Sequence, residues 1–324
     1  MGNETQGRRL LFLGPKTYQY HESILRALAN TGYSPVFVGE NNLDLVYRWA
    51  RFAGHRVLEA YLDLRWKRID RILKSSAFDQ VLVIRGEMLR PRHLEKLRKR
   101  FPHAELVMYQ WDALANHAYL GLTSYFDRVV SFDRRDAETH GFRYLPLFYD
   151  YEFDVIRKDV GKREIDILMV ASLRSDRVEI AREVHKKARE NGLNCYIYIY
   201  IPLMTFIKKG VKRQISAYEN KYVHFSPMTK ERYLQLLSVS RAVFDVNDIK
   251  QAGLTMRTME TLGAGRKLLT TNDQIRQEPF FSSSQIRIID RKHIDFEKEF
   301  IVGDEMGSDI SGYRIDHWIR GLLG

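Results

Sequence analysis

What most constrains this chain is an alternation of short β-rich apolar runs with helical segments, which lapses once near the middle and then starts again. In the first half the runs are "RRLLFLG", "SPVFVG", "DQVLVIRG", "AELVMYQWD" and "DRVVSFD", followed by "RYLPLF". Helical spacing fills the gaps: His21 to Asn30, Asn42 to Ser76 (one long helix or two), and "PRHLEKLRKRF". After "YDYEFDVIRKDVGKRE", a charged segment without apolar periodicity that reads as a linker near residues 150–162, the pattern resumes. The second set is "IDILMVAS", "NCYIYIYI", "YVHFSPM", "RAVFDV", "KLLTTN" and "IRIID". Its helices are Asp176 to Glu190, Thr229 to Val239 and a short one carrying Arg257 and Glu260, and "DISGYRIDHWIRGLLG" closes the chain as an amphipathic helix. Such alternation builds βαβ units on parallel sheets. With 324 residues and a usual domain size of ~150, two similar α/β halves are expected. There is no internal repeat of the kind that builds a solenoid.

Composition limits the function classes. Apolar residues make up 44% and aromatics 12% of the chain, enough for two cores and too much for a disordered tail. Fifty-two Lys and Arg against 41 Asp and Glu leave a net charge of +11. That excess favours anionic partners: phosphate-bearing substrates, an acidic membrane surface or nucleic acid. Cys195 is the single cysteine and lies in an apolar strand pattern. It reads as inert, and neither an internal disulfide nor a cysteine metal cluster is possible. No run approaches the ~18 apolar residues of a membrane span. "LLFL" is too short for a signal peptide, and "MGNETQ" has Gln6 where myristoylation wants Ser or Thr. A soluble or peripheral protein is expected.

Ligands of open parallel sheets bind beyond the carboxyl ends of the strands. In the first half those loops are "GPKTYQYH", "RGEMLRP" and "YQWDA"; in the second they are "ASLRSDR", "SPMT", "NDIKQAGLT" and "TTND". Neither domain opens with the glycine-rich dinucleotide loop, and no Walker A loop is present. The second half offers Gly253, beside Gln251 and Leu254, just before a helix whose free N–H groups and dipole can receive a phosphate. Thr255 can add a hydroxyl, and Arg174, two residues past Ser172, a bidentate guanidinium. Arg257 and Glu260 share one side of that helix: either a surface ion pair, or a carboxylate that accepts both hydroxyls of a ribose.

"NDIKQAGLTMRTMETLGAGRKLLTTN", together with "VMYQWDAL", "FDRVVSFDRRDAETHGFRYLPLFYD" and "GYRIDHWI", resembles bacterial glycosyltransferases of the GT-B fold. The similarity is to those of the lipopolysaccharide or capsular polysaccharide biosynthesis type, related to spore-maturation glycosyltransferases. It spans roughly Asp79 to Trp318 and is most specific in the second half. The resemblance implies two Rossmann-like domains with parallel sheets facing a cleft. Residues 1–155 would form the acceptor domain, 156–308 the nucleotide-sugar donor domain, and 309–324 a helix crossing back to the first. It further implies that Glu260 holds the ribose and that the backbone at Gly253 meets the diphosphate. Arg174 and Arg177 would neutralise the diphosphate, and the loop at Ser226, Pro227 and Met228 would seat the base. No metal or other cofactor is implied. A glutamate pair eight residues apart, typical of retaining relatives, is absent, so the stereochemistry stays open. The Asp245–Asp248 stretch lacks the spacing of a metal-binding aspartate pair and reads equally as a strand end.

Sugar transfer needs a base for the acceptor hydroxyl, and Asp112, Glu87 and His21 lie on loops of the first half. Asp112 can equally cap a helix at Ala113, Glu87 can bridge Arg85 or Arg90, and His21 can be a polar helix-start residue. From Arg48 to Lys74 eight basic residues face three acidic ones, interleaved with Trp49, Phe52, Tyr61 and Trp66. This is either a solvated helix packed on its sheet or a face for an anionic membrane, as a lipid-linked acceptor would require. "IKKGVKRQ" at 207–214 adds a second basic patch. The expected activity is transfer of a sugar from a nucleotide-sugar to a glycan or lipid-linked acceptor, in the cytoplasm or on the inner face of the plasma membrane. A nucleotide-sugar epimerase of the same fold is the alternative. A nucleic-acid binder is a weaker one, since no helix-turn-helix, zinc or RNP pattern accompanies the charge.

Overall fold

The structure, a computed structural model, describes residues 7–16, 19–40, 45–74, 76–174, 176–208, 219–304 and 307–324. They form two compact units. The first comprises the described residues through Pro146, with Lys250–Gly253 and Ile315–Gly324; the second comprises Leu147–Ile249 and Leu254–Arg314.

In chain order the first unit contains β1 (Arg8–Pro15), α1 (Tyr20–Asn30), β2 (Tyr33–Glu40), α2 (Leu45–Ala53), α3 (His55–Ile72) and β3 (Gln80–Ile84). It continues with α4 (Pro91–Arg100), β4 (Glu105–Gln110), α5 (Leu120–Thr123), β5 (Arg128–Ser131), α6 (Arg134–His140) and β6 (Arg143–Tyr144). Its sheet runs β2-β1-β3-β4-β5-β6, with every pairing parallel. Leu10–Phe12, Val81–Ile84 and Leu106–Tyr109 are buried without interruption, because helices covering both faces leave no solvent side for a polar alternate. The stretch from Asn42 to Ser76 resolves into two helices. Gly54 separates them at φ 112°, ψ 169°, a conformation closed to residues with a Cβ.

The second unit contains α7 (Tyr151–Lys158), β7 (Ile165–Ser172), α8 (Arg177–Glu190), β8 (Cys195–Tyr200), α9 (Leu203–Lys208) and β9 (Val223–His224). It goes on with α10 (Lys230–Ser238), β10 (Ser240–Asp245), α11 (Met256–Gly263), β11 (Lys267–Thr270), β12 (Ile286–Ile288) and α12 (Lys298–Val302). The parallel sheet has the order β12-β11-β10-β7-β8-β9. This is the doubly wound arrangement, with its switch point between β7 and β10. In α8, Ile180, Ala181, Val184 and Ala188 are buried, the spacing of one helical face. The final helix, α13 (Ile315–Leu323), packs with the first unit. There Trp318 stands edge-on to Tyr109, ring centroids 4.9 Å apart, and donates its indole N–H to the Pro146 carbonyl at 3.1 Å.

One expectation is corrected. The segment taken as an unstructured linker holds α7, capped by the Asp150 carboxylate at the Tyr151 N–H (2.8 Å). Phe153 and Ile156, one turn apart, supply the buried face that the density of charges concealed. Most of the second basic patch, residues 209–214, lies outside the described residues.

Candidate functional site

In the second unit the crevice opens at the carboxyl ends of β7 and β10, and three arginines surround it. Arg177, in the first turn of α8, donates to the Ser172 carbonyl (2.9 Å) and the Val246 carbonyl (2.6 Å). It ties the ends of the two strands together across the switch point, and burial pulls its pKa down. Its terminal nitrogens are thus committed to the scaffold, where a phosphate contact had been expected. Arg291, just past β12, forms a two-pronged pair with Asp176 (2.7 Å at both nitrogens) and donates to the Asn247 carbonyl (2.9 Å). Arg174 is exposed and pairs with Asp248 at 2.9 Å. Arg291 and Asp176 were not anticipated. The carboxyl-end rule would have found Arg291 had the loop after "IRIID" been included with the other strand ends.

The loop entering α11 differs from the expected phosphate cradle. Gly253 and Ala252 donate their backbone N–H groups to one oxygen of Asp133, at 2.9 and 2.8 Å. A Cβ on Gly253 would lie 2.4 Å from the Phe132 ring, so close packing within the first unit explains the glycine. The helix begins two residues later than expected. Thr255 is its N-cap, accepting the Thr258 N–H at 3.1 Å, and the hydroxyls of Thr255 and Thr258 both donate to buried Asp245 (2.6 and 2.8 Å). The helix start therefore already faces a carboxylate of its own strand, a favourable partner for the helix dipole. Leu254 is buried and Gln251 half-buried.

Arg257 and Glu260 are not a surface pair. They meet at 2.9 Å with the Glu260 side chain buried, and the Arg257 guanidinium lies 3.6 Å from the ring centroid of buried Tyr233. Stacked and screened from water, this pair holds more tightly than an exposed one. Between β9 and α10, Ser226 and Pro227 are exposed and Met228 half-buried. The Ser226 carbonyl accepts from Tyr198 (2.7 Å), whose ring stacks on His224 at 3.7 Å and 1°. Cys195 is inert: burial pushes its thiol up to about 12.

The first unit gathers a second cluster at the carboxyl ends of β2, β3 and β4. Arg85 and Gly86 both adopt positive φ, 70° and 73°. Holding a residue with a Cβ there costs roughly 1–3 kcal/mol, and the Gln110 amide clamps the Arg85 carbonyl at 2.8 Å. The reversal places the Arg85 guanidinium between two of the candidate bases, 3.1 Å from Glu87 and 3.1 Å from Asp112. Glu87 also accepts the Tyr47 hydroxyl (3.2 Å). Burial, then the Glu87 charge, pushes that phenol up to about 12. His21 sits apart from these bonds, stacked on Phe37 at 5.1 Å and 3.9 Å from Glu22.

Two further residues of this cluster were missed. Burial and then the charge of Arg85 push His117 down, against the opposing pull of Asp112 and Glu87. It is a neutral imidazole beside the carboxylates at neutral pH. Glu40, the last residue of β2, is 6% exposed. One of its oxygens accepts the Met88 N–H at 3.1 Å and the other is buried without a partner. Burial raises its pKa to about 7. Glu40 borders a cavity of about 20 Å³ shared with Trp66 and His93. Among the described residues no three His, Cys, Asp or Glu side chains converge as a metal-binding set.

No family model matches the chain, and no curated protein sequence matches it. Solved structures do. A UDP-GlcNAc 2-epimerase of Methanocaldococcus jannaschii, in complex with UDP-GlcNAc and UDP, is 10% identical with a TM-score of 0.54, over 98% of this chain and 99% of its own. The catalytic domain of starch synthase IV from Arabidopsis thaliana, bound to ADP and acarbose, is 8% identical with a TM-score of 0.54, over 97% and 95%. An α-glucosyltransferase in complex with UDP and a mismatched 13-mer DNA is 11% identical with a TM-score of 0.53, over 82% and 81%. At such identities the likeness concerns the fold. With its two six-stranded parallel sheets, the chain is an α/β protein of the GT-B fold, built from two Rossmann-like domains.

Proposed function

We propose that the chain is a glycosyltransferase that takes a sugar from a nucleotide-sugar donor and places it on a hydroxyl of a glycan or lipid-linked acceptor. The observation that carries this reading is the doubly wound second unit with Arg174, Arg177 and Arg291 around its switch point. A crevice of this kind, ringed by guanidinium groups, suits a diphosphate. The UDP, UDP-GlcNAc and ADP bound to the structural neighbours support a nucleotide ligand. In this reading Arg174 swings from Asp248 to the departing diphosphate, Arg291 and Arg177 fix the crevice walls, and Glu260, steadied by Arg257, receives the ribose. In the first unit Asp112, with His117 beside it, takes the acceptor proton while Arg85 positions the carboxylates. The resemblance around residues 247–272 supports a role in bacterial surface polysaccharide synthesis at the cytoplasmic side of the membrane.

The epimerase reading is kept as the second, favoured by an alignment that spans nearly the whole of both chains. Thermal unfolding against UDP, GDP, CDP and TDP sugars identifies the donor by the one conjugate series that raises Tm. With that donor, a transferase releases nucleoside diphosphate when a glycan acceptor is added. Interconversion of the sugar without release would establish the epimerase, and absence of any shift would overturn both readings.

A further inference from the structure

Helix α2 divides its circumference three ways. At 100° per residue Leu45, Trp49, Phe52, Ala53 and Val46 fall within one arc of about 120°. Tyr47 and Ala50 form the adjoining buried strip, and Arg48 and Arg51 occupy the remainder. The apolar arc is turned outward: Phe52 is 91% exposed, Leu45 76%, Trp49 63% and Val46 54%. Exposed apolar residues are ordinary when scattered; four on one face of one helix are not.

The surroundings of this arc are basic. Arg48, Arg51, Arg56, Lys67 and Arg68 are exposed on α2 and α3. The three acids of α3 are each engaged, Glu59 by Arg90 and Arg92, Asp63 by Arg92, and Asp70 by Arg100. The positive charge beside the arc is therefore not cancelled by its own helix pair, and of these residues Arg51 meets an acid elsewhere, Glu87 at 3.8 Å. The buried strip keeps α2 seated, with Tyr47 packed against Leu62 and Met88.

We propose that α2 is a membrane-surface helix: its apolar arc enters the headgroup–acyl boundary of a bilayer while the flanking arginines bind anionic lipid phosphates. Trp and Phe beside Arg is the side-chain set of interfacial helices. A second copy of this chain is a poorer occupant, because symmetric pairing of the arc would set Arg48, Arg51 and Arg56 against their counterparts. The inference does not depend on the enzymatic reading, since the apolar arc it concerns lies on a different face of α2 from Tyr47, the residue that reaches Glu87.

The test is flotation of the full chain with vesicles of phosphatidylglycerol and phosphatidylcholine, against vesicles of phosphatidylcholine alone. Binding is expected to the anionic vesicles and to weaken with salt. It should fall roughly fivefold in Arg48→Gln, as expected for one lipid-engaged arginine. It should fall more than about tenfold in Trp49→Ser/Phe52→Ser, whose residues are exposed enough that folding is preserved, as circular dichroism would verify. Tryptophan emission should shift to the blue on vesicle addition in the wild type and lose most of that shift in Trp49→Phe, because of the other three tryptophans Trp66 and Trp318 are buried and Trp111 is half-buried. Undiminished flotation of the double variant, or no binding to anionic vesicles, would overturn the proposal. So would a concentration-dependent dimer that the double variant loses.

Discussion

Replacing Glu40 with glutamine removes one titration while keeping the side chain's shape and its acceptor for the Met88 N–H. Burial raises the carboxyl from an ordinary 4.5 to about 7 in the folded chain, opposed by the Met88 hydrogen bond and assisted by the charge of Glu87. Between those two values the folded protein holds the proton and the unfolded chain has released it. The native state binds more protons there, so stability falls as pH rises through the window, and the loss is complete above about 7. A separation from 4.5 to about 7, at ~1.4 kcal/mol per pH unit, corresponds to roughly 3 kcal/mol. Glutamine has no such dependence at this position. Urea unfolding of both proteins at about pH 5 and about pH 8 should show the variant gaining most of that difference relative to wild type at the higher pH. The unpaired amide of the variant adds a pH-independent offset, so the change between the two pH values is the quantity that decides. A stability gap that is equal at both would refute the reasoning, because Glu40 would then bury no ionisable charge.

Gly253→Ala should destabilise by about 1–3 kcal/mol through the clash with Phe132; lost nucleotide affinity at unchanged denaturant midpoint would return that glycine to the phosphate. Arg291→Ala should weaken nucleotide binding in calorimetry, and Arg291→Lys should fail to restore it, because an ammonium cannot reproduce the two-pronged pair with Asp176. Glu260→Ala should lower affinity for the nucleoside more than for free diphosphate; equal loss for both would place the carboxylate in a structural role beside Arg257. Asp112→Asn should abolish transfer and spare donor binding, and if transfer persists at a comparable rate, a pH profile of His117→Gln identifies the imidazole as the base.

The architecture was readable because strands buried on both faces announce themselves as uninterrupted apolar runs, as at "LLFL" and "VLVI". The helix α7 was not, since two apolar residues one turn apart are easily lost among nine charged neighbours. The site was legible to the level of loops: the carboxyl-end rule picked out Arg85, Glu87 and Asp112, which the fold brings onto one guanidinium. It could not assign hydrogen-bond partners. Gly253 before a helix looks the same in sequence whether its N–H meets a phosphate or the distant Asp133, 120 residues away. Glu40 was invisible for a related reason, because a glutamate ending a strand is ordinary until burial removes its water.

The first unit is not a contiguous piece of chain, and that governs the order in which it can be completed. Gln80 Nε2 donates to the Leu323 carbonyl (3.2 Å), and Tyr109 is capped by Trp318. A nascent chain has all six strands of this sheet by Tyr144, yet the cover for its central residues, α13, is made only after the whole of the second unit. Until then the groove over Tyr109 and Gln80 stays open, so this unit is begun before the second and completed after it. A cut after Pro146 would therefore yield a sheet with an uncovered apolar groove prone to aggregation, and any attempt to study the first unit alone should carry α13 with it.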